Sequence, residues 1–267
     1  MKKMKLCFVI LMAFVTLKGS AQFVNSSNNT QGKNTSSNVN FSHKTDLNGW
    51  ERISVSFTPT KIITDVKGAD NFNLTGFSIG YEKGFSIANN IPLFIETGGN
   101  IQYAFKSLDN EDLEDIGFKN EDIPYETKMT ISTLNLKIPV NLAYKLSLGD
   151  VSIIPYVGIN FKINLLAKAK YSLEDSDDLN SIYDSEDEYW ESLEEREDRN
   201  IQNLNFFDKK DIEDKDSRWK RFQMGWQIGV GLDYNKLHVG IGYGKDLMEL
   251  YKKTKTSAVS ITLGYNF

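Results

Sequence analysis

From Trp50 onward the chain repeats one pattern, in which apolar residues alternate with small or polar ones. The first run sets Ile53, Val55 and Phe57 against Arg52, Ser54 and Ser56, and the second sets Phe77, Ile79 and Tyr81 against Gly76, Ser78, Gly80 and Glu82. Leu93, Ile95, Thr97, Ile101 and Tyr103 then oppose Glu96, Gly98, Asn100 and Gln102. The fourth run places Leu134, Leu136, Ile138, Val140, Leu142 and Tyr144 against Asn135, Lys137, Asn141 and Lys145. Val157 to Leu165 follow with Gly158, Asn160, Lys162 and Asn164 between them, and Met224 to Tyr234 alternate with Gly225, Gln227, Gly229, Gly231 and Asp233. Leu237, Val239, Ile241 and Tyr243 oppose His238, Gly240, Gly242 and Gly244; last, Val259 to Phe267 alternate with Ser260, Thr262, Gly264 and Asn266.

Side chains alternate across a strand with period two, so each run predicts a strand with one apolar and one polar face. No helical periodicity competes in these regions. Eight strands in sequential order predict an all-β fold, an eight-stranded antiparallel up-and-down barrel. Most runs are about nine to eleven residues long, beyond the roughly five or six of an ordinary strand and suited to a tilted crossing of a bilayer. The connections alternate too. Gly84–Ile91, Ser147–Val151 and Asn235–Lys236 are short, whereas Thr58–Asn71, Lys106–Lys128, Lys168–Arg221 and Lys245–Thr256 are longer and charged. Short turns at one end and long loops at the other are the habit of transmembrane barrels.

Parity leaves two readings open. A secreted, soluble lipocalin-like barrel turns the apolar face inward around a ligand, and a transmembrane barrel turns it outward to lipid. Three features favour the second. The polar face is rich in glycine and isolated charges, which suits a narrow lumen filled by side chains. Aromatic residues (Trp50, Tyr81, Tyr103, Tyr144, Tyr156, Tyr234, Tyr243, Tyr265, Phe267) fall near strand ends, as interfacial girdles do. Eight strands also suffice to close a ring, and lipid tolerates no open edge. Pro139 fits poorly because it removes a ladder N–H, and the apolar parity changes between Ile131 and Leu134. That change predicts a bulge or the point where the strand leaves the membrane.

The N-terminus adds a destination. Lys2, Lys3 and Lys5, an apolar run from Leu6 to Leu17 and then Gly19-Ser20-Ala21 predict a secretory signal peptide over 1–21, too short in its apolar part to span a bilayer. Cys7, the only cysteine, sits at the start of the apolar core instead of after it, so the lipoprotein pattern fails and the mature chain is expected to have no thiol or disulfide chemistry. The removed segment carries four lysines and no acid, so 31 basic residues become 27 against 36 acids and the formal charge moves from −5 to −9. An acidic surface disfavours nucleic acid. Residues 22–49, with the Asn- and Ser-rich stretch Asn25–Asn40, read as a flexible polar periplasmic lead-in to the barrel domain 50–267.

The last run, ending on Phe267, resembles the closing strand of bacterial outer-membrane barrels, the signal read by the barrel-assembly machinery. Leu134–Leu146 (LNLKIPVNLAYKL), Pro155–Gly158 (PYVG) and Gly229–Tyr234 (GVGLDY) are similar to successive strands of the Bacteroidetes outer-membrane β-barrel proteins, the PorT-like group of small OmpA/OmpX-type barrels. The resemblance covers roughly 50–267 and rests on framework residues. It implies location in the bacterial outer membrane, contact with its lipid, and a role as anchor or interaction platform linked to a secretion or assembly complex. The alternative is a small-solute channel. The long acidic loop 168–221 departs from a compact member.

Candidate chemistry is sparse. His43 and His238 have no Cys or His neighbour at ligand spacing, so no metal site is assigned. His238 with a lumen serine would be the minimum for a barrel phospholipase, but no catalytic residue is assigned. No cofactor is assigned either, since the glycines alternate in strand geometry and form no phosphate loop. Glu82, Glu96, Lys137, Lys145, Lys162 and Asp233 share the expected lumen face, as a polar plug or as the lining of a solute path. The acidic stretch Glu174–Asp198 lacks EF-hand spacing. It predicts a solvated, partly helical outer loop whose Tyr189, Trp190, Leu193, Ile201 and Leu204 form an apolar stripe, a partner contact if exposed.

Overall fold

A computed structural model of the chain describes residues 46–66, 71–109, 112, 127–173, 183–197 and 200–267. The expected signal peptide, His43 and most of the polar lead-in lie outside the described residues. The elements are β1 (Trp50–Phe57), β2 (Thr60–Thr64), β3 (Phe72–Ser86), β4 (Leu93–Leu108), β5 (Thr127–Tyr144), β6 (Leu146–Leu148), β7 (Val151–Leu173), α1 (Glu186–Glu197), β8 (Asn203–Asn205), β9 (Phe222–Tyr234), β10 (Leu237–Asp246) and β11 (Thr254–Asn266).

Antiparallel pairing closes a ring of eight staves. β1, continued by β2 past Thr58-Pro59, pairs with β3 on one side and with β11 on the other. The circuit runs on through β4, β5 (extended by β6), β7, β9 and β10 back to β11. Each stave matches one predicted run. Closure leaves no sheet edge, the condition for a β-structure in lipid. The connections at one end are short, with Gly149 at φ 66 between β6 and β7 and Asn235 at φ 53 between β9 and β10, a left-handed conformation that asparagine tolerates.

The apolar parity faces out. Ile53, Val55, Phe77, Ile79, Ile101, Val239, Ile241, Ile261 and Leu263 are all about half exposed, while Arg52, Ser54, Glu96, Asn141, Asn160 and His238 on the other parity are buried. The soluble, apolar-in reading is therefore overturned. A barrel in water would not turn a continuous belt of Ile, Val and Phe to the solvent and sequester its charges. From Val259 to Phe267 the outward residues of β11 cover about 20 Å of height at ordinary rise and tilt, near the roughly 25 Å band of a membrane barrel. Ile241→Arg, in the middle of β10, is expected to cost about 2–4 kcal/mol of folding stability into vesicles. Urea titration of vesicle-bound protein measures this, and a neutral result would mean that lipid does not contact this face.

Two of the nine expected girdle residues are not in the girdle. Trp50 is buried at the inner end, packed on Phe94 (ring centroids 4.8 Å) with its indole over Gly84. Tyr156 points into the lumen, where Gly229 and Gly242 leave room for its hydroxyl. Both lie on the polar parity of their strands, which decides their direction whatever their chemistry.

Near Leu134 the structure shows a bulge, but on the neighbouring stave, and the change of pattern along β5 is one of chemistry and not of direction. The β5–β7 register shifts between Leu134 and Asn135, where Leu165 is the extra residue on β7. On β5 itself the odd positions stay inward throughout; what changes is their chemistry, from Asn135 and Asn141 to Met129 and Ile131. At Pro139 the β4–β5 register skips Gly98 and Gly99, and the Thr97 hydroxyl donates to the Pro139 carbonyl at 2.8 Å. The lost N–H thus falls in a gap of the ladder.

Candidate functional site

Inside the ring the inward residues build three layers. The inner end is closed by Trp50, Phe94, Ala143 and Ile154. Beside them the Lys145 ammonium donates to Asp46 at 2.5 Å. Partial burial pushes the Asp46 carboxyl up, but hydrogen bonds from Lys145 and from the Asn48 N–H outweigh it and hold it below the usual carboxylate range. Residues 46–49, the end of the expected lead-in, are therefore tied to the barrel rim.

The middle layer is a charge network centred on Arg52. Its guanidinium donates to Glu82 (Nε, 3.0 Å) and Glu96 (Nη2, 2.7 Å) and lies 3.8 Å from Asp233. Nδ1 of His238 sits 2.6 Å from both Asp233 Oδ1 and Arg52 Nη1. Glu96 also accepts from the Trp50 indole (3.1 Å) and the Asn141 amide (2.9 Å), and Asn141 accepts from Gln227 (2.7 Å). A second knot joins Lys162 to Asp246 (2.5 Å) and to Thr256 (2.7 Å), with Thr256 also bonded to Asp246.

Small residues opposite make these side chains fit. A Cβ at Gly264 would meet Arg52 at 2.7 Å, and one at Gly231 would meet the His238 ring at 2.4 Å. The alternating glycines of the last three staves are thus the space that the large inward residues fill. A cavity of about 90 Å³ remains between Arg52, Glu96, Lys137, Tyr156, Gln227 and His238. At about 10–15 Å³ of such volume per molecule it has room for roughly six to nine waters, a small pocket and not a solute path.

The outer layer was not legible as such. The staves run on past the membrane: β7 reaches Leu173, into the segment expected as loop, and β5 begins at Thr127. Their inward residues there are apolar. Ile62, Leu74, Ala104, Leu108, Met129, Ile131, Ala169 and Tyr171 form one cluster with Tyr189 and Trp190 of α1. Tyr189 and Trp190 are each only 4% exposed. The condition for a partner contact, exposure of the stripe, is therefore not met: its aromatic residues are a plug seated in the outer mouth.

The acidic residues of this segment fasten it. Ser185 caps α1 by accepting the Glu188 N–H at 3.2 Å, while Glu188 accepts the Asp184 N–H at 2.8 Å. Glu186 accepts both the Trp190 indole and the Leu173 N–H at 3.0 Å, and Glu194 accepts the Ile201 and Gln202 N–H groups at 2.9 and 3.0 Å. Ser185-x-x-Glu188 has the capping-box spacing, a signal by which the start of this helix could have been found in the sequence, although Glu188 reaches back to the Asp184 N–H and not to that of Ser185. Further along, Phe206 stacks on Trp219 (4.7 Å) and Trp219 on Tyr251 (6.1 Å), joining the lid to the loop between β10 and β11.

The sequence-predicted lumen residues are thus brought together: Glu82, Glu96, Asp233 and His238 around Arg52, Lys137 on the cavity wall, and Lys162 and Lys145 in their own ion pairs. Arg52, the hub, stood in the first run only as an unassigned polar residue. Among the described residues no serine hydroxyl bonds His238, and no group of three His, Cys, Asp or Glu is placed to hold a metal.

Fold and interior together define a closed, polar-cored transmembrane barrel with a lidded outer mouth. No protein-family profile matches the chain, and no curated protein matches it. Among solved structures it is similar to Ail, the attachment invasion locus protein of Yersinia pestis, crystallised with the heparin analogue sucrose octasulfate (13% identity, 82% of this chain and 99% of that one, TM-score 0.38). It is also similar to Neisserial surface protein A (12%, 81% and 97%, 0.38) and to the outer membrane enzyme PagL (8%, 80% and 98%, 0.40). The barrel assignment itself rests on this chain's own ring of pairings.

Proposed function

We propose that the chain is an integral protein of the bacterial outer membrane, a non-enzymatic anchor that presents its outer loops as an interaction platform. The observation that carries this reading is the closed lumen, in which ion-paired side chains fill the middle and α1 plugs the mouth. A barrel that neither conducts nor exposes a catalytic pair offers its partners only the extramembrane surface. The expected export signal over 1–21 and the closing strand ending on Phe267 support delivery to the barrel-assembly machinery. The likeness of residues 134–146, 155–158 and 229–234 to the PorT-like group supports a place beside a secretion or assembly complex.

The test combines fractionation with electrophysiology. The mature protein should stay in the outer-membrane fraction, migrate differently on unboiled and boiled SDS gels, and add no conductance steps to a planar bilayer. Stable steps from the wild type would replace the anchor reading with the small-solute channel. A soluble periplasmic protein without a gel shift would overturn the membrane reading altogether.

A further inference from the structure

Just above the apolar belt, on the side of the long loops, the outward positions of the staves turn basic. On β7, Lys168 and Lys170 are both exposed and follow the belt residues Ile163 and Leu165. Their cross-strand partners on β5 are Ser132 and Thr130, and those on β8 are Asn205 and Asn203. Lys128 of β5 faces Ser172, one diagonal step of about 7–8 Å from Lys170. The same device recurs on another wall. There the exposed Lys61 of β2 faces Ser257, and Lys255 of β11 is its diagonal neighbour.

Among the described residues Lys61, Lys168, Lys170 and Lys255 form no ion pair. The chain as a whole is acidic, so this fringe does not reflect average composition. At the opposite rim the outward Lys83 is paired with Glu51 at 2.6 Å. A ligand here has to lie along Ile163 and Leu165 and still meet two ammonium groups set among hydroxyls and amides. An amphiphile with an anionic head has that shape.

We propose that Lys168 and Lys170 bind the phosphate groups of lipid headgroups in the outer leaflet. The fringe tethers the barrel electrostatically at the depth where its belt ends. Long lysine stems suit the role, since they lie along apolar surface and deliver the charge to the headgroup layer. The proposal rests on the membrane reading, and its test separates the two.

Folded protein is placed in phosphatidylcholine nanodiscs doped with bis-phosphorylated lipid A or with the same lipid dephosphorylated, and co-purified lipid is counted by native mass spectrometry. The wild type should retain the phosphorylated form preferentially. K168E/K170E should weaken that retention by at least about thirtyfold, the effect of losing two interfacial cations before the added repulsion of the carboxylates, while K168R/K170R keeps it. Lys236→Glu, at the other rim, should change nothing. Equal retention of both lipids, or an unchanged K168E/K170E, overturns the proposal and leaves the barrel standing. Failure of the wild type to enter nanodiscs overturns both.

Discussion

Arg52→Met is expected to lower the stability of the folded barrel by about 3–5 kcal/mol, the usual result of removing one partner from a buried ion pair. Arg52 is 3% exposed and faces three carboxylates, those of Glu82, Glu96 and Asp233. Taking away the guanidinium leaves these charges in a space that about 90 Å³ of water cannot solvate well. A methionine of similar length keeps the volume over Gly264, so lost packing is not the main effect. The measurement is a urea titration of vesicle-embedded protein read by the unboiled gel shift. A second variant keeps the argument falsifiable. Glu96→Gln alone also breaks the network, but in the Arg52→Met background it should recover part of the loss, because it removes one of the stranded charges. Strict additivity of the two would mean that Arg52 and Glu96 are not coupled, and the account of the middle layer would fall.

Trp190→Ala should be comparably severe, but local. Removing a buried tryptophan costs about 3–5 kcal/mol where the site does not collapse. Trp190 packs on Tyr189 (5.2 Å) and Tyr171 (6.3 Å) and donates its indole N–H to Glu186, which also accepts the Leu173 N–H. The expected result is a lid released from the mouth with the eight staves intact. Proteolysis of vesicle-embedded protein should then cut within 183–205 many times faster, while the unboiled gel shift survives. Cleavage unchanged from the wild type would show that the acidic acceptors Glu186 and Glu194 hold the lid without the ring. Loss of the gel shift would show that lid and barrel fold as one unit. The first outcome would still leave α1 a lid; the second would make it part of the core.

Much of the barrel was legible because period-two alternation is a local property. Eight runs predicted eight staves, and the small, polar parity named Glu82, Glu96, Lys137, Lys145, Lys162 and Asp233 as lumen residues and put His238 on the same face. The hub was harder to see. Arg52 is one polar residue among several in its run; pairing with the next run places Glu82 opposite it, but only ring closure brings Gly264 of the last strand beside it. Trp50 and Tyr156 were misplaced because an aromatic near a strand end suggests a girdle, although parity had already sent both inward.

By itself, then, the sequence determined the strand count, the up-and-down order and which chemistry each face carries. Those properties depend on neighbours one and two residues apart. The tertiary structure decided which face meets lipid, because apolar-in and apolar-out barrels share one alternation. It also decided where the membrane ends. Met129 and Ile131 point inward like Asn135, and only the packing of α1 above them shows that the lumen has turned from a polar core into an apolar socket. An acidic loop reads as solvated until its carboxylates are seen accepting backbone N–H groups. Contacts between residues far apart in the chain set that use, and no local pattern records them.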